Sequence, residues 1–257
     1  VTTIVGLHHV EHVMGMAVSI DVRDNISRDA IDEVVTWLHH VDATFSTYKM
    51  DSPISRLGSG EFTLDDMSDE VLGVLAMCEA LNADTNGAFD VLAVLAPNGN
   101  FLDPSGLVKG WSIELAAEML SARGANNFCI NAGGDIAIRG EAAPGQPWRV
   151  GIRHPDHAEL SAAVINASGR LAVATSATYE RGAHIIDPAS GAPIAEVASV
   201  TIVGPDLTYA DAYATSVFVM GVPGLSWLHD NHPDYAGFLI THDDRALSTQ
   251  SFDQYRV

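Results

Sequence analysis

The chain has 257 residues, 47% of them hydrophobic, enough to bury a large core as one domain or two small ones. Its 13 Lys and Arg stand against 33 Asp and Glu, a formal charge of −20 that argues against binding along the phosphate backbone of DNA or RNA. An anionic ligand would need a metal ion or local backbone dipoles to overcome that field.

In chain order, "GMAVSIDV" alternates as a half-buried strand. "SRDAIDEVVTWLHHVDATF" then places Ile31, Val34, Val35, Leu38, Val41 and Phe45 at helical spacing. Ser68 is the expected N-cap of a second helix, "DEVLGVLAMCEAL". "SIELAAEMLSARG" is a third, with Gly124 as its C′ stop. Short strands are expected around Phe128–Arg139, Trp148–Ile152, Leu171–Thr175 and Ala198–Val203. A helix over "YADAYATSVFVMG" precedes "PGLSWLHD", and "AGFLITH" with "RALST" reads as a closing hairpin around Asp243 and Asp244. With no linker, repeat or low-complexity tract, the expectation is one α/β domain (α+β mixed) over residues 1–257. Cys78 and Cys129 fall in apolar periodic segments and are expected as reduced core residues. No apolar run reaches the roughly 18 residues of a membrane span, and no basic-then-apolar segment reads as a secretion signal. A cytoplasmic location is the first expectation, with export through a removed leader as the alternative.

Generic catalytic motifs are few. "HHVEH" contains H-x-x-E-H through His8, Glu11 and His12. Zinc chemistry there requires a helix, and the segment runs into a strand within a few residues, so a polar lead-in is expected. "GSG" at Gly58–Gly60 lacks the strand-to-helix context of a dinucleotide fingerprint.

Polar residues at the ends of apolar elements carry more information. Asp211 and Thr215, four apart, share one helix face and offer hard oxygens suited to Mg²⁺ with phosphates completing the shell. Read alone, they are expected instead as a first-turn cap and a packing residue. Asp103, Ser105, Gly106 and Lys109 in "LDPSGLVKG" crowd the start of a helix, where an anion could bind; the same residues make an ordinary turn and cap. The glycines of "NAGGDI" permit close approach of a ligand or of another backbone.

Taken together, "MGMAVSIDV", "FSTYKMDSPISRL", "TNGAFDV", "LDPSGLVKGW", "NAGGDI", "WRVGIRHP", "VATSATYERGAHIIDPASGAP" and "ADAYATSVFVMG" resemble, in order, the FAD:protein FMN transferases, also called the flavin transferase or thiamine-biosynthesis lipoprotein family. The resemblance implies a single-chain flavin transferase fold, with mixed sheets and packed helices around FAD and Mg²⁺. It further implies cleavage of FAD, attachment of FMN through a phosphoester to a Thr or Ser of a target flavin-carrier protein, and release of AMP. It leaves open two alternatives, hydrolysis of FAD to FMN and AMP and non-catalytic FAD binding. By resemblance, Met14 and Tyr48 contact the flavin, and Ala88, Phe89, Asp90, Asp103, Lys109 and the stretch from His184 to Ile186 bind FAD. The Gly106 carbonyl, Asp211 and Thr215 hold Mg²⁺. His184, the side chain type best matched to proton transfer near neutral pH, is the expected general base for the incoming hydroxyl. Two departures stand out: no lipoprotein cysteine near the start, and Ala177 where a glycine is common.

Overall fold

A computed structural model describes residues 6–93, 95–178, 186–188 and 190–257. The chain opens with a hairpin, β1 (Leu7–Val13) and β2 (Met16–Val22), whose two-residue turn puts Met14 and Gly15 at φ 54° and 72°. Two positive φ values match the right-handed twist of the strands, and only Gly15 adopts one without steric cost. Helices α1 (Arg28–Phe45), α2 (Pro53–Gly58) and α3 (Asp69–Asp84) follow. Ser27 caps α1 through the Asp29 amide, and Ser68 caps α3 as expected, accepting from the Val71 amide at 3.4 Å. Helix α4 (Ser105–Ala122) unites the polar helix start and the "SIELAAEMLSA" stripe in one element, and Gly124 beyond it has φ 90°.

Next come β3 (Phe128–Ala132) and β4 (Asp135–Arg139), a hairpin turned by Gly133 and Gly134, both at positive φ. Strands β5 (Trp148–Arg153), β6 (Ser161–Ala167), β7 (Leu171–Ala177) and β8 (Val197–Gly204) lead to helices α5 (Leu207–Met220) and α6 (Pro223–Asn231). The chain closes through β9 (Ala236–Thr241) and β10 (Ala246–Ser248), the hairpin expected around Asp243 and Asp244.

Among the described residues the sheet order is β1-β2-β3-β4-β7-β8-β9-β10, with β5 and β6 paired separately, and every pair is antiparallel. The expected mixture of sheet and packed helices is present. Strand alternation splits the core. Ala137, Ala172, Ala174, Val200 and Ile202 face α4 and α5, whereas Ile136, Ile138, Leu171, Val173 and Phe238 face β5, β6 and Phe252. The alanines on the helix side of the central strands leave room for α4 and α5 to lie close to the sheet. Cys78 and Cys129 are free thiols, and burial pushes each up to about 12, so both are inert structural residues.

The segment carrying His8, Glu11 and His12, expected as a polar lead-in to a strand, is itself the edge strand β1. His8 and His12 are exposed on one face, while His9 and Glu11 turn to the other. There Glu11 bonds to His39 at 2.9 Å and His9 at 3.2 Å, and the His39 contact leads in holding its carboxyl below the usual range. The H-x-x-E-H spacing therefore does not converge.

Candidate site at the crossing of α4 and α5

Helices α4 and α5 run antiparallel, and three rungs one helical turn apart join them. A Cβ built on Gly106 would lie 4.0 Å from Thr215 Oγ1. The Gly110 amide donates to Asp211 Oδ2 at 2.9 Å. The Leu207 amide donates to Glu114 Oε2 at 3.0 Å. The steps of four residues on each helix keep all three rungs on one face.

The middle rung sets the separation. A Cβ on Gly110 would stand 2.4 Å from the Leu207 carbonyl oxygen and 2.7 Å from Asp211 Cβ, distances that only a glycine permits. Asp211 is 4% exposed. Its carboxylate also competes for the N–H that a regular helix directs to the carbonyl four residues back, that of Gly106. At the third rung Glu114, 4% exposed, is bound by Arg139 at 2.5 Å and Arg170 at 2.7 Å as well as by the start of α5. A buried carboxylate with two guanidinium partners and a backbone donor is satisfied and rigid.

The expected metal ligands Gly106, Asp211 and Thr215 therefore lie along one face of the α4–α5 crossing. Thr215 is half-buried and its Oγ1 is 3.2 Å from Ser176 Oγ on β7. Lys109 enters the same place from α4. Its ammonium is ion-paired with Asp135 and lies 3.9 Å from Asp211 Oδ1. Asp135, 1% exposed, is the first residue of β4, directly after the glycine turn of "NAGGDI", and its Oδ1 accepts from the Thr175 amide at 3.0 Å. A carboxylate, a hydroxyl and a backbone carbonyl are hard-oxygen donors, and an ammonium beside them suits a phosphate-bearing ligand.

The remaining candidates lie on other elements and loops. Phe89 is buried, with its ring 3.3 Å from a Cβ built on Gly106; its carbonyl accepts from Asn82 and its amide donates to Thr85. It forms a wall behind Gly106. Asp90 is exposed and accepts from the Leu92 amide at 2.8 Å, and half-buried Ala88 precedes Phe89 on the same loop. Asp103 accepts from the Ser105 amide at the start of α4, while its own amide donates to Val91, so "GAFD" and "LDPSG" lie side by side. Met14, at its positive φ, puts its sulfur 4.0 Å from Ser112 Oγ, one turn beyond Lys109. Tyr48 is 74% exposed on the turn between α1 and α2, a free aromatic face rather than a packed one. Ile186 pairs with Pro193 across the turn closed by Asp187 and Gly191. His184 lies outside the described residues.

Sequence reading singled out the glycines of "NAGGDI" but not Asp135, nor Ser176 and Glu114. The signal for Asp135 was a charged residue opening an otherwise apolar strand. Its partner Lys109 is on another element, so no spacing rule connects the two.

Comparison with known proteins bears on the family and the fold. A FAD:protein FMN transferase of Vibrio cholerae is 29% identical over 245 residues, covering 74% of this chain and 72% of that protein. One from Haemophilus influenzae is 26% identical, covering 88% and 82%. The structure of the flavin transferase ApbE from Vibrio cholerae superimposes with a TM-score of 0.85 at 25% identity, over 97% of this chain and 99% of that one. The ApbE protein of Thermotoga maritima, 21% identical, shares the fold with a TM-score of 0.85. The ApbE family model matches residues 14–95 and 93–239, which include every candidate site residue named above. This chain belongs to the ApbE family.

Proposed function

We propose that this protein cleaves FAD in a Mg²⁺-dependent reaction and attaches FMN through a phosphoester to a Thr or Ser hydroxyl of a target flavoprotein, releasing AMP. The observation that carries this reading is the alignment of Gly106, Lys109, Asp211 and Thr215 along one face of the α4–α5 crossing. FAD as the substrate, and a flavoprotein as the target, agree with the names of the relatives.

The donor set fits Mg²⁺. Asp211 and Thr215 would supply a carboxylate and a hydroxyl, and Gly106 a carbonyl, at a position where a Cβ would come 3.3 Å from the Phe89 ring. No group of three His, Cys, Asp or Glu placed to hold a metal ion occurs among the described residues, but one carboxylate with neutral oxygens and substrate phosphates is the usual Mg²⁺ arrangement. When bound, the ion supplies positive charge to the phosphoryl oxygens.

The protein's own groups do the rest. Lys109 presents a cation to the pyrophosphate from the side of β4. Phe89 backs the groove and excludes water. Tyr48 offers a flat surface for the isoalloxazine, with Met14 near the α4 side of the flavin and Ala88, Asp90, Asp103 and Ile186 along the ligand. His184 takes the proton from the acceptor hydroxyl as its oxygen bonds to the FMN phosphorus. The bridging P–O bond breaks, and its electron pair leaves on AMP. Chromatography of FAD incubated with the protein and an acceptor flavoprotein, with and without Mg²⁺, tests the reading. AMP release that depends on Mg²⁺ is expected; FAD left intact would overturn it.

A further inference from the structure

Two carboxylates and one ammonium meet beside the α4–α5 crossing, and the ammonium is shared unequally. Lys109 pairs with Asp135 and stands 3.9 Å from Asp211 Oδ1, beyond hydrogen-bond reach. Asp135 is anchored independently of Lys109, because its Oδ1 takes the Thr175 amide and its strand is fixed by the glycine hairpin. Among the described residues, Asp135 Oδ2 has no hydrogen-bond donor besides that ammonium. A carboxylate 1% exposed binds such a cation strongly, since water does not compete.

Resting on the metal-site reading above, we propose that Asp135 is a positioning residue that draws the Lys109 ammonium away from Asp211 Oδ1, so that it does not compete with the divalent cation for that carboxylate. Among the described residues, the buried carboxylate left to Lys109 without Asp135 is Asp211, and an ammonium bound there occupies the place of the metal. With Asp135 in place, Lys109 is neutralised from the sheet side while still facing the groove.

The test is Mn²⁺ binding, read from the free-ion signal in electron paramagnetic resonance with FAD saturating. Asp135→Asn keeps the acceptor for the Thr175 amide and removes only the charge. It is expected to weaken Mn²⁺ binding by about 10–100-fold, the range for losing a residue that orients a metal ligand. Adding Lys109→Met removes the competing ammonium and should return the affinity to within about threefold of the parent, a pairwise coupling of the kind a double-mutant cycle isolates. If Asp135→Asn does not fold, Asp135→Ser, which also removes the charge and keeps a hydroxyl acceptor, takes its place in the same comparison. Unchanged Mn²⁺ binding in Asp135→Asn overturns the proposal. So does a double variant as weak as the single one, which would make Asp135 a plain structural support. Absence of Mn²⁺ binding in the unmodified protein overturns the metal site itself, and this inference with it.

Discussion

Gly110→Ala probes the geometry on which the account depends. The added methyl would stand 2.4 Å from the Leu207 carbonyl oxygen and 2.7 Å from Asp211 Cβ. Atoms of this size settle at roughly 3.5–4.0 Å, so the helices must part by about 1 Å. Two terms oppose each other. Alanine in a helix interior gains about 1 kcal/mol over glycine, while overpacking a tight contact costs about 1–3 kcal/mol or more. Both clashing atoms belong to a buried helix that has no soft direction to yield, so the clash should win, with a net loss of about 1–2 kcal/mol. The loss in turnover should be larger, about 100-fold, because a displacement of about 1 Å carries Asp211 off its line with Thr215. Gly73→Ala in α3 is the control. A Cβ there meets nothing within 4 Å, and the change should stabilise by about 0.4–1 kcal/mol. Chemical denaturation gives the stabilities, and AMP release the turnover. If Gly110→Ala is as stable and as active as the parent, the close crossing does not position the site.

Asp211→Ala should abolish Mg²⁺-dependent turnover while flavin binding weakens less, seen by FAD fluorescence alongside AMP release. His184→Ala should slow transfer by about 10²–10⁴-fold with FAD still bound; parallel loss of binding would make it a flavin-positioning residue. Glu114→Ala should cost about 3–5 kcal/mol in denaturant melts, since it strips Arg139 and the first amide of α5 of a buried partner. In that same cluster burial pushes Glu118 up, but Arg139 and Arg170 outweigh it and hold its carboxyl below the usual range. Its contribution is therefore present above the unfolded value near about 4.3 and lost as pH falls through the folded one. That contribution is small, because Glu118 is half exposed.

Much of the fold was legible because apolar spacing dominates it. α1, α3, α5 and the closing hairpin follow their periodicity, and Ser68 and Gly124 mark ends where capping chemistry requires them. β6 was not legible, since "SAAVINA" is short and rich in alanine, and only its pairing with β5 makes it a strand. β1 was hidden by its histidines, which an edge strand tolerates on its open face. At the site, Asp211 and Thr215 were readable because four residues is one helical turn. Gly110 and Asp135 were not, because their importance comes from Leu207 and Lys109, which only the fold brings to them.

Intact-mass spectrometry of a flavin-carrier domain tests the central claim most directly, after incubation with this protein, FAD and Mg²⁺. The account predicts a mass gain equal to one FMN phosphoester, lost when the acceptor Thr or Ser is replaced by alanine and absent with the Asp211→Ala protein. Release of free FMN and AMP with the carrier unmodified would contradict it and make the protein a FAD pyrophosphatase.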